Sequence, residues 1–146
     1  MQEMKQMLKQ LKTIYWGIAS GALAFACIVE FIMMDVAGGI LADDNQIEFV
    51  FESIAILLTL ASIYFSLRLF KFKKIKNALC YNPLENYRKY CVLRFAMLEL
   101  PLLFNILCYW LFVNSSFAWL GVLIGLAFPF VYPTKERFLN ETDYQL

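Results

Sequence analysis

The chain contains no histidine. That removes the commonest general base, the commonest proton shuttle and the commonest zinc ligand together. The four cysteines, Cys27, Cys80, Cys91 and Cys108, form no C-x-x-C pair and read as small apolar residues or inert thiols. Neither sign of charge is in excess: 13 Lys and Arg against 12 Asp and Glu leave a net +1. No overall field is present to recruit nucleic acid. A G-x-S-x-G elbow, a phosphate-binding loop and a paired cytosolic aspartate motif are also missing. The sequence therefore supports no enzyme class, no catalytic residue, no cofactor and no metal.

Apolar residues are what it has, at 61% against about 45–50% in a soluble domain. They fall into long blocks, and crossing a ~30 Å hydrocarbon layer takes roughly 17–25 residues. The blocks predict membrane helices over about 13–35, 47–71, 89–113 and 116–132, with a basic connector over about 72–88. The whole of 1–146 reads as a single membrane domain. The first block also has the layout of a signal peptide, with "AFA" before Cys27. Its apolar run continues through Ile28, Phe31, Ile32 and Met33, past the roughly 7–15 residues of a signal core, so a retained helix is expected.

The charges set an orientation. Three of the 13 basic residues precede the first block, eight lie between Arg68 and Arg94, and two are in the tail. The connection after the first block has none and carries Asp35, Asp43 and Asp44. Short-loop Lys and Arg stay on the cytoplasmic side, which puts both termini and the connector there. Lipid gives the backbone no hydrogen bonds, so each block must be a helix. The predicted fold is all-α: an integral membrane four-helix bundle of two antiparallel hairpins, multi-pass in the cell inner (plasma) membrane. "FACIVE" and "FAMLE" invite a repeat between the hairpins, but their spacing differs by one and their glutamates lie at opposite depths.

Helix contacts in lipid come from close backbone approach and interhelical hydrogen bonds. Gly17 and Gly21 form one G-x-x-x-G and Gly121 and Gly125 another, with Ala19, Ala22 and Ala26 beside the first. Internal packing between neighbouring helices is the plain expectation for them, and homo-oligomerisation the alternative. On the second helix Glu48, Glu52, Ala55, Thr59, Ser62 and Ser66 alternate steps of four and three, which places them on one face. That face is expected to point inward, as a packed seam or a hydrated path. The third helix carries its own stripe of Arg94, Pro101, Asn105 and Cys108, with a kink predicted at Pro101.

Glu99 is the unusual residue. An acid at a helix centre costs about 2.5–3.5 kcal/mol on insertion scales. Arg94, five residues away and about 140° round an ideal helix, is badly placed to pair with it. Arg68 at the end of the second helix is the expected interhelical partner. Glu99, Arg94, Asn105 and Arg68 together make the candidate proton or cation site, set against a satisfied structural contact. Glu30 and Glu52 face the acidic loop, where a cation site with Asp35, Asp43 or Asp44 lacks the tight ligand spacing of hard-cation loops. The basic "KFKKIK" reads as ordinary flanking, with anionic-lipid recognition as its alternative.

These residues carry a resemblance. A Lys-led start before "IYWGI", the pattern R-x-A-x-x-E-x-P-x-L-F (Arg94, Ala96, Glu99, Pro101, Leu103, Phe104) and "YPTKER" after the last helix resemble a group of bacterial tetraspan membrane proteins without assigned activity. A fainter similarity to the proteolipid subunit of rotary ATPases rests on small-residue helices with an intramembrane Glu. The Phe-rich helices and the off-centre Glu99 depart from that pattern.

Two functions follow. One is a non-enzymatic scaffold or accessory subunit, with the lipid bilayer, another membrane protein or a second copy as partner. The other is a small proton- or cation-linked transporter or channel built on Glu99.

Overall fold

The computed structural model describes residues 1–33, 35 and 39–142. Those residues form helices and no strand. We number the α-helices α1 (Gln2–Ile28), α2 (Asn45–Arg68), α3 (Lys73–Tyr81), α4 (Pro83–Phe112), α5 (Ser115–Ala127) and α6 (Lys135–Thr142). A π turn, Val29–Met33, extends α1, and 3-10 turns extend α2 (Leu69–Lys71) and α5 (Phe128–Val131). Three helices are long and apolar enough to cross a membrane, and a fourth span arises if α5 and α6, bent by 81°, are taken as one.

The ends follow from local chemistry. Asp44 caps α2, its carboxylate accepting from the Ile47 amide at 3.2 Å, and so satisfies one of the orphan donors of a first turn. Pro83 opens α4 at a position where a missing N–H costs nothing. Asn114 caps α5 by accepting from the Ser116 amide at 2.9 Å. The same side chain donates to Glu48 at 2.6 Å and so ties the start of α5 to the start of α2.

The C-terminus of α4 is closed by the chain between α1 and α2. The Gly39 amide donates to the Trp110 carbonyl at 2.8 Å, and the Leu41 amide to Leu111 at 3.0 Å. These carbonyls would otherwise lack intrahelical donors. Val113 ends α4 at φ 51, a left-handed conformation uncommon for a β-branched residue. Gly39, at φ 78, packs so tightly there that a Cβ would lie 2.9 Å from Val113 Cγ2. Both the backbone angle and the space require glycine.

Helix α4 is the central element. It packs against α1, α2 and α5, and 39% of its most apolar window is buried, against 17% for α1 and 22% for α2. One hydrophobic cluster fills the basic end, joining Met4, Leu8 and Leu11 of α1 to Phe70, Leu79, Tyr87 and Phe138. Tyr15 is its ring centre, within 5.5 Å of Phe95 and 5.1 Å of Tyr132. A second, smaller cluster around Ala55, Cys108, Phe112 and Phe117 fills the acidic end.

The helices extend past the expected blocks in three places. Helix α1 starts at Gln2 rather than near 13, because Met4, Met7, Leu8, Leu11 and Tyr15 recur at helical spacing and are buried. The 72–88 connector is helical, being mostly α3 and the first turns of α4, with Ile75 and Leu79 facing the core. The polar tail folds back as α6 with Phe138 fully buried. Pro101 lies within the continuous run of α4.

Candidate functional site

The polar residues of the interior fall into three tiers along α2 and α4. At the acidic end stands the pair of Asn114 and Glu48, with Glu52 half-buried one turn on. In the middle, the Asn105 amide donates to Thr59 Oγ1 at 2.9 Å, and both residues are buried. Ala55, Thr59, Ser62 and Ser66 line the inward face of α2. Ser62 donates back to the Thr59 carbonyl and Ser66 to that of Ile63, a local solution that leaves neither hydroxyl in need of a partner helix. Asn105 Oδ1, by contrast, is buried without a partner. The seam is packed in this region: Thr59 is 0% exposed and Asn105 1%.

The third tier, at the basic end, is the most polar. Arg94 is only 2% exposed. Its Nη2 donates to Glu141 Oε1 at 3.1 Å, and Arg137 approaches the same oxygen at 3.7 Å. The Phe70 ring faces the Arg94 guanidinium with 4.2 Å from Cζ to centroid, a cation–π contact strengthened by exclusion of water. Tyr87 stacks edge-on against Phe138, with centroids 4.9 Å apart. Three shielded atoms, Tyr87 Oη, Arg94 Nε and Glu141 Oε2, have no hydrogen-bond partner.

Glu99 has none of the expected company. Its Oε2 is shielded and makes no hydrogen bond. Arg68 is not its partner: Arg68 is exposed and bonds Tyr64 of its own helix at 3.0 Å, with its guanidinium over that ring. The four-residue spacing makes Tyr64 a neighbour on the same face, so the local contact wins over a bond across helices. Arg94 is committed to Glu141 and Asn105 to Thr59. Glu99, Arg94, Asn105 and Arg68 therefore do not converge on one point.

Three of the four motif glycines face open space, while Gly121 lies against Leu102 of α4. A Cβ added at Gly17, Gly21 or Gly125 would meet nothing within 4 Å, and at Gly121 only Leu102 at 3.6 Å. A groove of about 520 Å³ runs between α1 and α5 with α4 as its floor. Small residues recur in both walls, Ala22 and Ala26 beside Leu23 on one side and Gly121 and Gly125 beside Val122 on the other. Tyr109 and Glu30 also line the groove.

Sequence reasoning missed Glu141, Arg137 and Phe70. The tail offers one local signal, the four-residue spacing of Arg137 and Glu141 beside Phe138. Among the described residues no group of three or more His, Cys, Asp or Glu could hold a metal ion, and all four cysteines are free. Asp35 is exposed.

The class this defines is an all-helical protein with three to four helices of the length and composition that a multi-pass membrane protein requires. No known family model matches the chain, and no curated protein or solved structure is significantly similar to it.

Proposed function

We propose that the protein is a non-enzymatic accessory or scaffold subunit of the plasma membrane. In this reading it is a four-helix bundle of two antiparallel hairpins, with α5 and its 3-10 turn (Ser115–Val131) making the fourth crossing alone and both termini, α3 and α6 in the cytoplasm. The observation that carries the role is the open groove between α1 and α5. Helices associate in lipid where small residues let backbones come close. Here two walls in which small residues recur face each other across empty space instead of touching, so the close-approach surface is available to a helix from outside. The partner is a transmembrane helix of another membrane protein or of a second copy.

The transport reading draws on Glu99, whose shielded oxygen has no donor. The other groups assigned to that site have partners of their own, and the middle of the seam is packed. The balance favours the scaffold.

Gly125→Ile tests this directly. Nothing within 4 Å would meet a Cβ at Gly125, so the new side chain starts into open space, and circular dichroism should show unchanged helicity. The added bulk fills the groove and is expected to weaken association at least tenfold, about 1.4 kcal/mol. The readouts are cross-linking in native membranes and copurification, with Gly125→Ala retaining most of the binding. Wild-type protein that stays monomeric and captures nothing, or a Gly125→Ile variant that associates like wild type, overturns the role.

A further inference from the structure

A second concavity lies on the other side of α1, between its basic N-terminal half and the first turns of α4. It is a wide, open cleft of about 830 Å³ at the surface. Its rim holds Lys9, Arg88 and Lys89, and no carboxylate lines it. Arg88 bonds Gln10 across the two helices at 3.4 Å, which sets the width of the cleft floor. Lys89 is held by Glu85, outside the cleft, at 3.4 Å, with both side chains more than half exposed. Such an exposed pair is weak and gives way readily to a stronger anion. Lys9 makes no ion pair among the described residues.

The lining changes character along the helix axis. Above the cations come Ile14 and Val92, where the apolar stretches of α1 and α4 begin. On α1 the same face then continues through Gly17 and Gly21, with open space over both. A cationic mouth followed by an apolar shoulder and a smooth glycine track matches one chemistry in order: a phosphodiester headgroup with its acyl chain running up the helix.

We infer that the cleft between α1 and α4 is a binding site for an anionic phospholipid of the cytoplasmic leaflet, its phosphate held by Lys9 and Arg88 with Lys89 beside them. The inference rests on the membrane orientation proposed above. Free phosphate shares the headgroup chemistry but has no use for the Ile14, Val92 and glycine surface, so lipid is the occupant.

The test uses the full chain purified in detergent and lipid retention followed by native mass spectrometry. The probes are phosphatidylglycerol, phosphatidylcholine and inorganic phosphate. Wild type should retain phosphatidylglycerol in preference to phosphatidylcholine, with millimolar phosphate failing to displace it. Lys9→Gln with Arg88→Gln should lower retention about 25-fold, from roughly fivefold per cation near an anionic surface. Lys9→Arg with Arg88→Lys should restore it. Lys73→Gln with Lys74→Gln, the same charge change on α3, should leave it intact. Equal loss in the α3 variant means a diffuse basic flank and overturns the site, as does equal retention of phosphatidylcholine. Binding of phosphate alone with lipid-like strength means a soluble-anion site and overturns the lipid assignment. Circular dichroism confirms that each variant is folded. Thiol labelling of the exposed Cys80 in intact cells separates the two failures, because labelling from outside undoes the orientation itself, whereas unselective retention by a protein whose Cys80 is protected undoes only the site.

Discussion

Glu99 shows what a single side chain does to the reading of the whole. It sits on the long central helix, half-buried, with one oxygen out of reach of any donor. In a transporter such a carboxyl would load and release a proton or cation, and Glu99→Gln would abolish flux. In a scaffold the carboxyl is a tolerated polar group at a helix edge. We expect proteoliposomes of the wild type to show no pH-dependent flux above empty vesicles, and Glu99→Gln to change stability in detergent by less than about 1 kcal/mol. A flux that the substitution removes would transfer the function to transport. The position of this acid on the third apolar segment was legible in the sequence, because an isolated charge in an apolar run stands out. Its lack of a partner was not. Arg68 looked suitable by depth, but depth does not say which way a long side chain turns, and Tyr64 one helical turn away captured it.

At the scale of elements, α6 is the lesson. Eight residues of polar composition would not form a stable helix alone. They are helical because Phe138 reaches Tyr87 in the core and Glu141 reaches Arg94. Removing one member of a buried ion pair strands the other and costs roughly 3–5 kcal/mol, while removing both is often neutral. Glu141 is partly exposed, so the lower end applies. Glu141→Leu should therefore lower thermal stability and make the tail sensitive to protease. Arg94→Leu combined with Glu141→Leu should recover most of the stability, read as a double-mutant cycle of unfolding in detergent. Additive effects of the two substitutions would show that the pair does not hold α6. The inward face of α2 was readable, since steps of four and three among Ala55, Thr59, Ser62 and Ser66 write a helix face directly. The docking of α6 was not, because its contacts join residues 47 positions apart and no local period encodes them. For the same reason the glycine motifs could be seen but not placed. Small residues mark a surface suited to close approach, and only the coordinates show that α1 and α5 leave theirs open.

For the whole molecule the decisive question is which way the charges face, and the protein carries its own probes. Cys27 and Cys80 are exposed while Cys91 and Cys108 are buried. Cys80 lies on α3, among the lysines of the basic end, and Cys27 lies within the apolar stretch of α1. A membrane-impermeant thiol reagent should therefore leave Cys80 unlabelled in intact cells and label it once the membrane is opened. Cys27 should stay unlabelled in both conditions, because surface that is exposed in the protein alone is covered by lipid in the bilayer. Asp43→Cys, in the acidic loop, should label in intact cells. The three sites are independent measures of one arrangement, since the proposed four crossings must return the basic end to the starting side. Labelling of Cys80 from outside would invert the bundle. The Lys9 and Arg88 cleft would then face the outer leaflet, the groove between α1 and α5 would keep its shape, and the positive-inside bias that fixed the orientation would have failed for a chain with eight of its 13 cations between Arg68 and Arg94.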